Sequence, residues 1–339
     1  MTSSSGWSFG IAVVLGTLPN LSACGSTDAK SAGGGAGASG SAGSGSGNAG
    51  AAGQGDSSRL VGSFQVKVTP ASGDIEASTA VVGKVYDGPT PATVIWEKPQ
   101  VDGSCTLTTP RVPFCSTPCG SSSACVEDDT CQAYATARSV GAVTVTGVKT
   151  TAGDSSFVMT AIANTYQPPG STSLAYPPFA EGDAVSLSAA GDYFPAFTLT
   201  SKGVAPLVVT STALALKSGQ PLALTWTKGA AGNAKVHVKL DISHHGGTKG
   251  QIECDADDSG ALTVTAPLIT TLLGLGAAGY PTVIVTRHAL GSTVISAGRV
   301  DLDVSSIVEQ AVTVEGLTSC TEDTDCASGQ TCQSDLSCK

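Results

Sequence analysis

Residues 236–242 read Val-His-Val-Lys-Leu-Asp-Ile, and this stretch decides the fold class. Apolar and polar residues alternate strictly along it. In a strand, alternate residues share a face, whereas a helix brings every third or fourth residue to the same face. The stretch therefore predicts a β-strand with one face in a core and the other towards water.

The same alternation recurs through most of the chain after residue 60. The further runs are 64–68, 143–145, 185–187, 222–226, 262–264, 283–285 and 300–304. Turn-forming Asp, Gly and Pro residues separate them. Only 267–275 has the pattern of a helix. Many short strands separated by turns predict an all-β protein made of antiparallel β-sandwiches.

Composition and pattern together divide the chain. The predicted segments are a signal peptide (1–23), a Gly/Ala/Ser linker (24–58), a β-module (59–150) with a Cys-rich loop (105–131), a boundary segment (151–182), a second β-module (183–316) and a Cys-rich tail (317–339). Trp226 is expected to anchor the second core, since a large aromatic on an alternating strand buries much area. The stretch 218–226 resembles a strand pair of bacterial Ig-like modules. One intertwined sandwich spanning both modules is the alternative.

The N-terminal residues carry an export pattern. The apolar run 11–18 is too short to span a bilayer and suits a signal peptide, although residues 1–10 lack the usual Lys or Arg. It is followed by Leu21-Ser22-Ala23-Cys24, which resembles a bacterial lipobox. That resemblance implies cleavage before Cys24 and acylation of its side chain and new N-terminus. The alternative is a secreted protein cut near Ala23, with Cys24 as an ordinary half-cystine.

Residues 25–58 consist mostly of Gly, Ala and Ser. Such a sequence buries too little apolar surface to offset chain ordering, so we expect a flexible tether spanning about 30–35 Å. Residue 25 is Gly rather than Asp. In Gram-negative lipoproteins this implies sorting to the outer membrane, where the body faces the periplasm or the cell surface. No later run is long and apolar enough to predict a spanning helix.

Charge limits the classes of partner. The chain has 17 basic and 27 acidic residues, which give a formal net charge of −10. An acidic surface repels phosphate backbones, so nucleic acid is not an expected partner. The expected partners are the membrane, through Cys24, and a surface glycan or protein.

Ten cysteines remain when Cys24 is set aside, an even number that predicts disulfides in an oxidising compartment. They are Cys105, Cys115, Cys119, Cys125, Cys131, Cys254, Cys320, Cys326, Cys332 and Cys338. We expect Cys254 to pair with one of the five upstream cysteines; a buried free thiol is the alternative. Zinc is the other alternative, but only Cys115 and Cys119 have the close spacing that zinc sites favour.

The last four cysteines are evenly spaced, and the same spacing occurs at Cys119, Cys125 and Cys131. Four cysteines allow three pairings. The tail resembles the short Cys-rich knots of proteins that deltaproteobacteria export. This resemblance implies the alternate pairing, Cys320–Cys332 and Cys326–Cys338.

Candidate chemistry is sparse. The chain contains no G-x-S-x-G, H-E-x-x-H or P-loop motif, so no catalytic residue and no cofactor are predicted. Weak metal candidates are His244 and His245 in a Gly-bounded turn, and Asp255, Asp257 and Asp258 before a glycine. The aspartates lack the distal Glu of a calcium loop. We expect His237 to be solvated on the polar face of its strand.

Leader, linker and tail together resemble the Cys-rich lipoproteins that deltaproteobacteria export. The resemblance implies a non-enzymatic, surface-anchored protein with a binding, adhesion or structural role. The alternative function is a secreted hydrolase or metal-dependent enzyme that uses the 244–258 loops.

Overall fold

The computed structural model describes residues 56–73 and 75–339, and this part of the chain is nearly all β-structure. The strands are β1 Leu60–Thr69, β2 Ser78–Val85, β3 Ile95–Asp102, β4 Cys105–Arg111, β5 Ser123–Glu127, β6 Thr130–Ala133, β7 Val143–Thr146, β8 Ser156–Met159, β9 Thr165–Tyr166, β10 Ala184–Ala189, β11 Phe197–Lys202, β12 Ala215–Leu216, β13 Leu222–Thr225, β14 Lys235–Asp241, β15 Gln251–Asp257, β16 Ala261–Val264, β17 Thr282–Ile295, β18 Gly298–Ala311 and β19 Thr313–Val314. One α-helix, α1, covers Ala266–Gly274. The predicted all-β class is confirmed.

Strand β14 contains the alternating stretch that predicted the fold class. Val236, Val238 and Leu240 are fully buried, whereas His237 and Lys239 lie partly exposed on the opposite face. The strand pairs with β15 on one side and β17 on the other, both antiparallel. The other alternating runs form β1, β7, β10, β13, β16, β17 and β18.

The largest sheet has nine strands in the order β3-β4-β15-β14-β17-β18-β1-β2-β9. Its neighbours are antiparallel except at β1 and β18, which run parallel with Leu60 beside Arg299 and Val68 beside Ser306. The sheet is therefore mixed, a feature that the predicted antiparallel arrangement did not include. Alternation fixes which face of a strand is buried, but it does not fix the strand's neighbour or direction.

A four-stranded sheet, in the order β11-β10-β7-β8, covers one half of the large sheet. The residues between them form a first core that includes Phe64, Leu187, Leu199 and Leu302. The sheets approach closely at Gly291 of β17, where an added Cβ would lie 1.9 Å from the carbonyl oxygen of Thr200. Glycine is required there because any side chain would push β11 away from β17.

A second core lies under the other half of the large sheet. It joins β14, β15 and β17 to α1, to the β13–β16 pair and to the short β12–β19 pair. Helix α1 occupies the segment predicted to be helical. It has Pro267 in its first turn, where proline is well tolerated, and it buries Leu268, Ile269 and Leu272. The helix thus closes the end of this core.

The two predicted β-modules share the nine-stranded sheet. Its strands come from both 59–150 and 183–316, and the described residues fall within one compact unit. The predicted boundary segment, 151–182, contributes β8 to the small sheet and β9 to the large one. The structure thus differs from a chain of two separate sandwiches, because the first strand of the body pairs with its last long strand.

A buried ion pair lies between the two cores. Arg287 of β17 is placed between Val285 of the second core and Ala289 of the first, and its side chain is 1% exposed. Its Nε donates to Oδ2 of Asp258 over 2.8 Å. Its terminal nitrogens donate to backbone carbonyls in the loops that precede β12 and follow β13. The guanidinium therefore ties two loops to the large sheet.

The carboxylate of Asp258 also joins neighbouring elements. It accepts a hydrogen bond from the indole Nε1 of Trp226 over 2.7 Å and one from the backbone N–H of Gly229 over 2.9 Å. Burial raises the pKa of Asp258, but the hydrogen bonds from Arg287, Trp226 and Gly229 outweigh it and hold this pKa below its usual value. Trp226 is buried, as its place on an alternating strand predicted.

All ten candidate half-cystines in the described chain are paired. The bonds are Cys105–Cys254, Cys115–Cys125, Cys119–Cys131, Cys320–Cys332 and Cys326–Cys338. The tail has the alternate pairing that its resemblance to exported Cys-rich knots implies. A sulfur in a disulfide is no longer a thiolate ligand, so the alternative of a zinc–cysteine site does not apply to this state. Five disulfides indicate a protein that folds in an oxidising compartment.

The predicted signal peptide, Cys24 and nearly all of the linker lie outside the described residues. Within 56–73 and 75–339, no helix has the length and apolar character needed to cross a bilayer.

Candidate functional site

The Cys-rich loop presents exposed apolar side chains on a cross-linked backbone. Residues 111–134, called the pinned loop here, leave the sheet at the end of β4 and contain the β5–β6 hairpin. Two disulfides close this loop, Cys115–Cys125 and Cys119–Cys131. A short segment with so little core depends on such cross-links for its order.

Phe114 is an exposed aromatic residue of the pinned loop whose backbone is held in place. Its side chain is 72% exposed. Its backbone N–H donates to Oδ1 of Asp128 over 3.0 Å, and its carbonyl accepts from the N–H of Asp129 over 3.0 Å. The backbone is thus fixed on both sides of a ring that points into solvent.

Charged groups around the backbone of Phe114 complete this frame. Arg111 donates to Asp128 over 2.8 Å and to Glu97 over 2.9 Å. The hydrogen bond from the Phe114 N–H, together with that from Arg111, holds the pKa of Asp128 below its usual value. Asp129 accepts from both the N–H and the hydroxyl of Ser116. Its φ of 56° lies in the left-handed region that Asp tolerates better than most residues.

Further exposed apolar side chains lie in the same loop. Val112, two residues before Phe114, is 74% exposed, and Tyr134 at the end of the loop is 55% exposed. The charged residues of the loop are Arg111 and the acidic residues 127–129, so its net charge is negative. The loop therefore presents exposed apolar side chains on an ordered backbone, with acidic residues around them.

The weak metal candidates do not form one site. His244 and His245 follow β14 at its Asp241 end, whereas Asp257 lies opposite Lys235 at the other end of the strand. Asp257 forms an ion pair with Lys235. Because β14 and β15 are antiparallel, the length of the strand separates the two groups.

The remaining candidates also face different directions. Asp258 is buried with Arg287, whereas Asp255 is exposed on the face of the large sheet opposite the cores. His244 Nε2 lies 3.8 Å from a carboxylate oxygen of Glu309, and its ring contacts that of His245 at an interplanar angle of 51°. The five metal candidates in 244–258 therefore do not converge on one point.

The structure brings together a different set of titratable residues. We call this set the histidine cluster: His237 of β14, Asp255 of β15, His288 of β17 and Asp303 of β18, all on the polar face of the large sheet. His237 Nδ1 lies 2.9 Å from Asp255 Oδ1, and His288 Nδ1 lies 3.7 Å from Asp303 Oδ1. His237 is thus paired rather than simply solvated as the sequence predicted. The hydrogen bond from His237 lowers the pKa of Asp255, and the charge of His288 adds to this effect.

The histidine cluster was not predicted because its members are spread over residues 237–303. Alternation placed His237 on a polar strand face, and the same rule places His288 and Asp303 there. The register between β17 and β18, which a single sequence does not reveal, is what brings the second pair together.

Comparison with known proteins gives no information about the function of this protein. No family model matches the chain, and no curated protein matches it. Among solved structures, the FN1–FN3 domains of chicken CNTN1 are similar at 10% sequence identity, over 72% of this chain and 83% of that one. The TM-score is 0.19, so this likeness supports no argument about activity or ligand.

Proposed function

We propose that the protein is a non-enzymatic binding module, tethered by a lipid at Cys24 to the outer membrane, which contacts a partner protein through the pinned loop. The observation that carries this proposal is Phe114, an exposed aromatic ring on a backbone held by hydrogen bonds on both sides. Aromatic anchors on ordered segments supply much of the energy of protein interfaces.

Rigidity supports a binding role for this loop. Association costs less when a contact segment is already ordered, since little conformational freedom remains to be lost. Two disulfides and the Asp128–Asp129 frame order the loop in the free protein. The acidic residues 127–129 favour a partner with an apolar pocket and a basic rim. The contact is therefore assigned to a protein rather than to a neutral glycan.

Replacing Phe114 by Ala is expected to weaken capture of the partner strongly. Loss of a central aromatic anchor costs about 2 kcal/mol or more, which corresponds to about a 30-fold weaker complex. The full chain is immobilised and exposed to solubilised envelope proteins, and bound proteins are quantified by mass spectrometry. The proteins retained by the wild type should be lost with the F114A variant.

The matched control for this experiment is Val158→Ala, which removes an exposed apolar side chain from β8, an edge strand of the small sheet. V158A should retain the wild-type set of proteins. Equal capture by F114A and the wild type would overturn the assignment to the pinned loop. Retention of purified envelope polysaccharide, with no protein retained, would overturn the choice of a protein partner.

The proposed lipid anchor at Cys24 is tested by the intact mass of the chain and by its partitioning into detergent. The wild-type chain from membranes should begin at Cys24, carry acyl groups and enter the detergent phase on extraction. The C24S variant should lack the acyl mass and leave the membrane fraction, because no thiol remains to be acylated. An unacylated wild-type chain, or a C24S variant that stays in the detergent phase, would contradict the anchor while leaving the proposal for Phe114 open to its own test.

A further inference from the structure

The histidine cluster has the arrangement that orients histidines for metal binding. Metal-bound histidines commonly donate one ring N–H to a carboxylate, which fixes the ring and leaves the other nitrogen for the metal. Here Asp255 lies at Nδ1 of His237 and Asp303 lies at Nδ1 of His288. In both rings the nitrogen left over is Nε2.

Strand register places the two rings side by side. His237 is opposite Thr286 and His288 is opposite Lys235 in the β14–β17 pair, so the histidines are diagonal neighbours on one face. Diagonal side chains of this length are within reach of each other.

Asp303 gives a second, independent indication. Its Oδ1 is buried and has no hydrogen-bond partner within the described residues, and its side chain is only 14% exposed. A buried carboxylate oxygen without a donor is costly. A metal on Nε2 of His288 would keep the proton on Nδ1 and direct it towards this oxygen.

We propose that Nε2 of His237 and Nε2 of His288 bind one divalent transition metal ion of the Zn²⁺ and Cu²⁺ class. Imidazole nitrogen is the ligand that these ions share, and solvent completes the coordination on this open sheet face. Asp255 and Asp303 orient the rings and neutralise the ion's charge. Lys235, which is directly opposite His288, is already paired with Asp257. The site shares no residue with the pinned loop, so it is independent of the proposed function.

The proposal is tested by titrating the chelator-treated, non-reduced full chain with Zn²⁺ and with Cu²⁺ in a calorimeter. We expect one ion per chain and tighter binding of Cu²⁺ than of Zn²⁺. H237A and H288A should each abolish this binding. D255N and D303N should weaken it about 10–100-fold, because they keep the shape but lose the charge that orients each ring.

The matched control is His245→Ala, which removes a histidine from the turn after β14. It should leave binding unchanged. The Cu²⁺ complex should show two imidazole nitrogens by electron paramagnetic resonance, and unchanged melting of the metal-free variants checks their fold. Wild-type affinity in H237A or H288A, or no binding to the wild type at millimolar metal, would overturn the proposal.

Discussion

The R287M variant is expected to lose about 3–5 kcal/mol of unfolding free energy, because it leaves the carboxylate of Asp258 buried without its counter-ion. Both side chains are almost fully excluded from water, at 1% and 5% exposure. The change also frees backbone carbonyls in two loops that the guanidinium now binds. Urea unfolding under non-reducing conditions measures the loss.

A matched control is Arg111→Met, the same substitution at a solvent-exposed arginine. Arg111 also meets two carboxylates, those of Glu97 and Asp128, but all three side chains are well exposed. Exposed pairs contribute about 1 kcal/mol or less. We therefore expect R111M to unfold close to the wild-type urea concentration.

The double variant D258N/R287M separates the lost charge from the lost packing. It removes both charges, while an amide oxygen still accepts from Trp226 Nε1. We expect it to be more stable than R287M alone, since no unpaired charge remains buried. Equal urea midpoints for R287M and R111M would contradict the assigned role of the ion pair.

The local pattern of the sequence was sufficient to predict several strands of both cores and the helix of the second core. It did not predict β2, β4, β8, β11 or β15, which also contribute side chains to the cores. Alternation in 236–242 correctly indicated which side chains of β14 are buried, and 267–275 was correctly expected to be helical. These features depend on neighbouring residues, so one sequence contains the information.

Long-range features were not predictable in the same way. The parallel pairing of β1 with β18 joins residues that are more than 200 positions apart, and alternation is the same for either strand direction. Arg287 occupies an inward position of β17, where the pattern alone would place an apolar residue. Its burial depends on Asp258, which follows a different strand.

The candidate sites show the same limit. Asp255, Asp257 and Asp258 were grouped because they are adjacent in sequence, but strand geometry and the turn after β15 send them to different surroundings. Phe114 lies in a Cys-rich segment whose cross-links were expected. Its backbone is held by hydrogen bonds to Asp128 and Asp129, which no spacing rule predicts.

Removal of the Cys105–Cys254 disulfide, in the C105A/C254V variant, is expected to cost about 5 kcal/mol of unfolding free energy. The bond joins residues 149 positions apart, and a cross-link over so long a loop strongly restricts the unfolded chain. It lies in the second core and links directly opposite residues of β4 and β15. The urea midpoint of the non-reduced variant measures the effect.

The loss should be largest near the missing bond, because the β3–β4 hairpin joins the large sheet only through β15. Amide hydrogen exchange should therefore accelerate most in β3, β4 and the pinned loop, while β1 and β18 accelerate only as far as the fall in global stability requires. The control C320A/C332A removes a bond with a separation of 12, for which the same chain-entropy argument gives about 3 kcal/mol, confined to the tail.

If both variants unfolded alike and β3–β4 exchange were unchanged, Cys105–Cys254 would not be what holds the pinned loop to the sheet. If β3–β4 alone loosened, partner capture through Phe114 should fall with it, since its backbone frame begins where β4 ends.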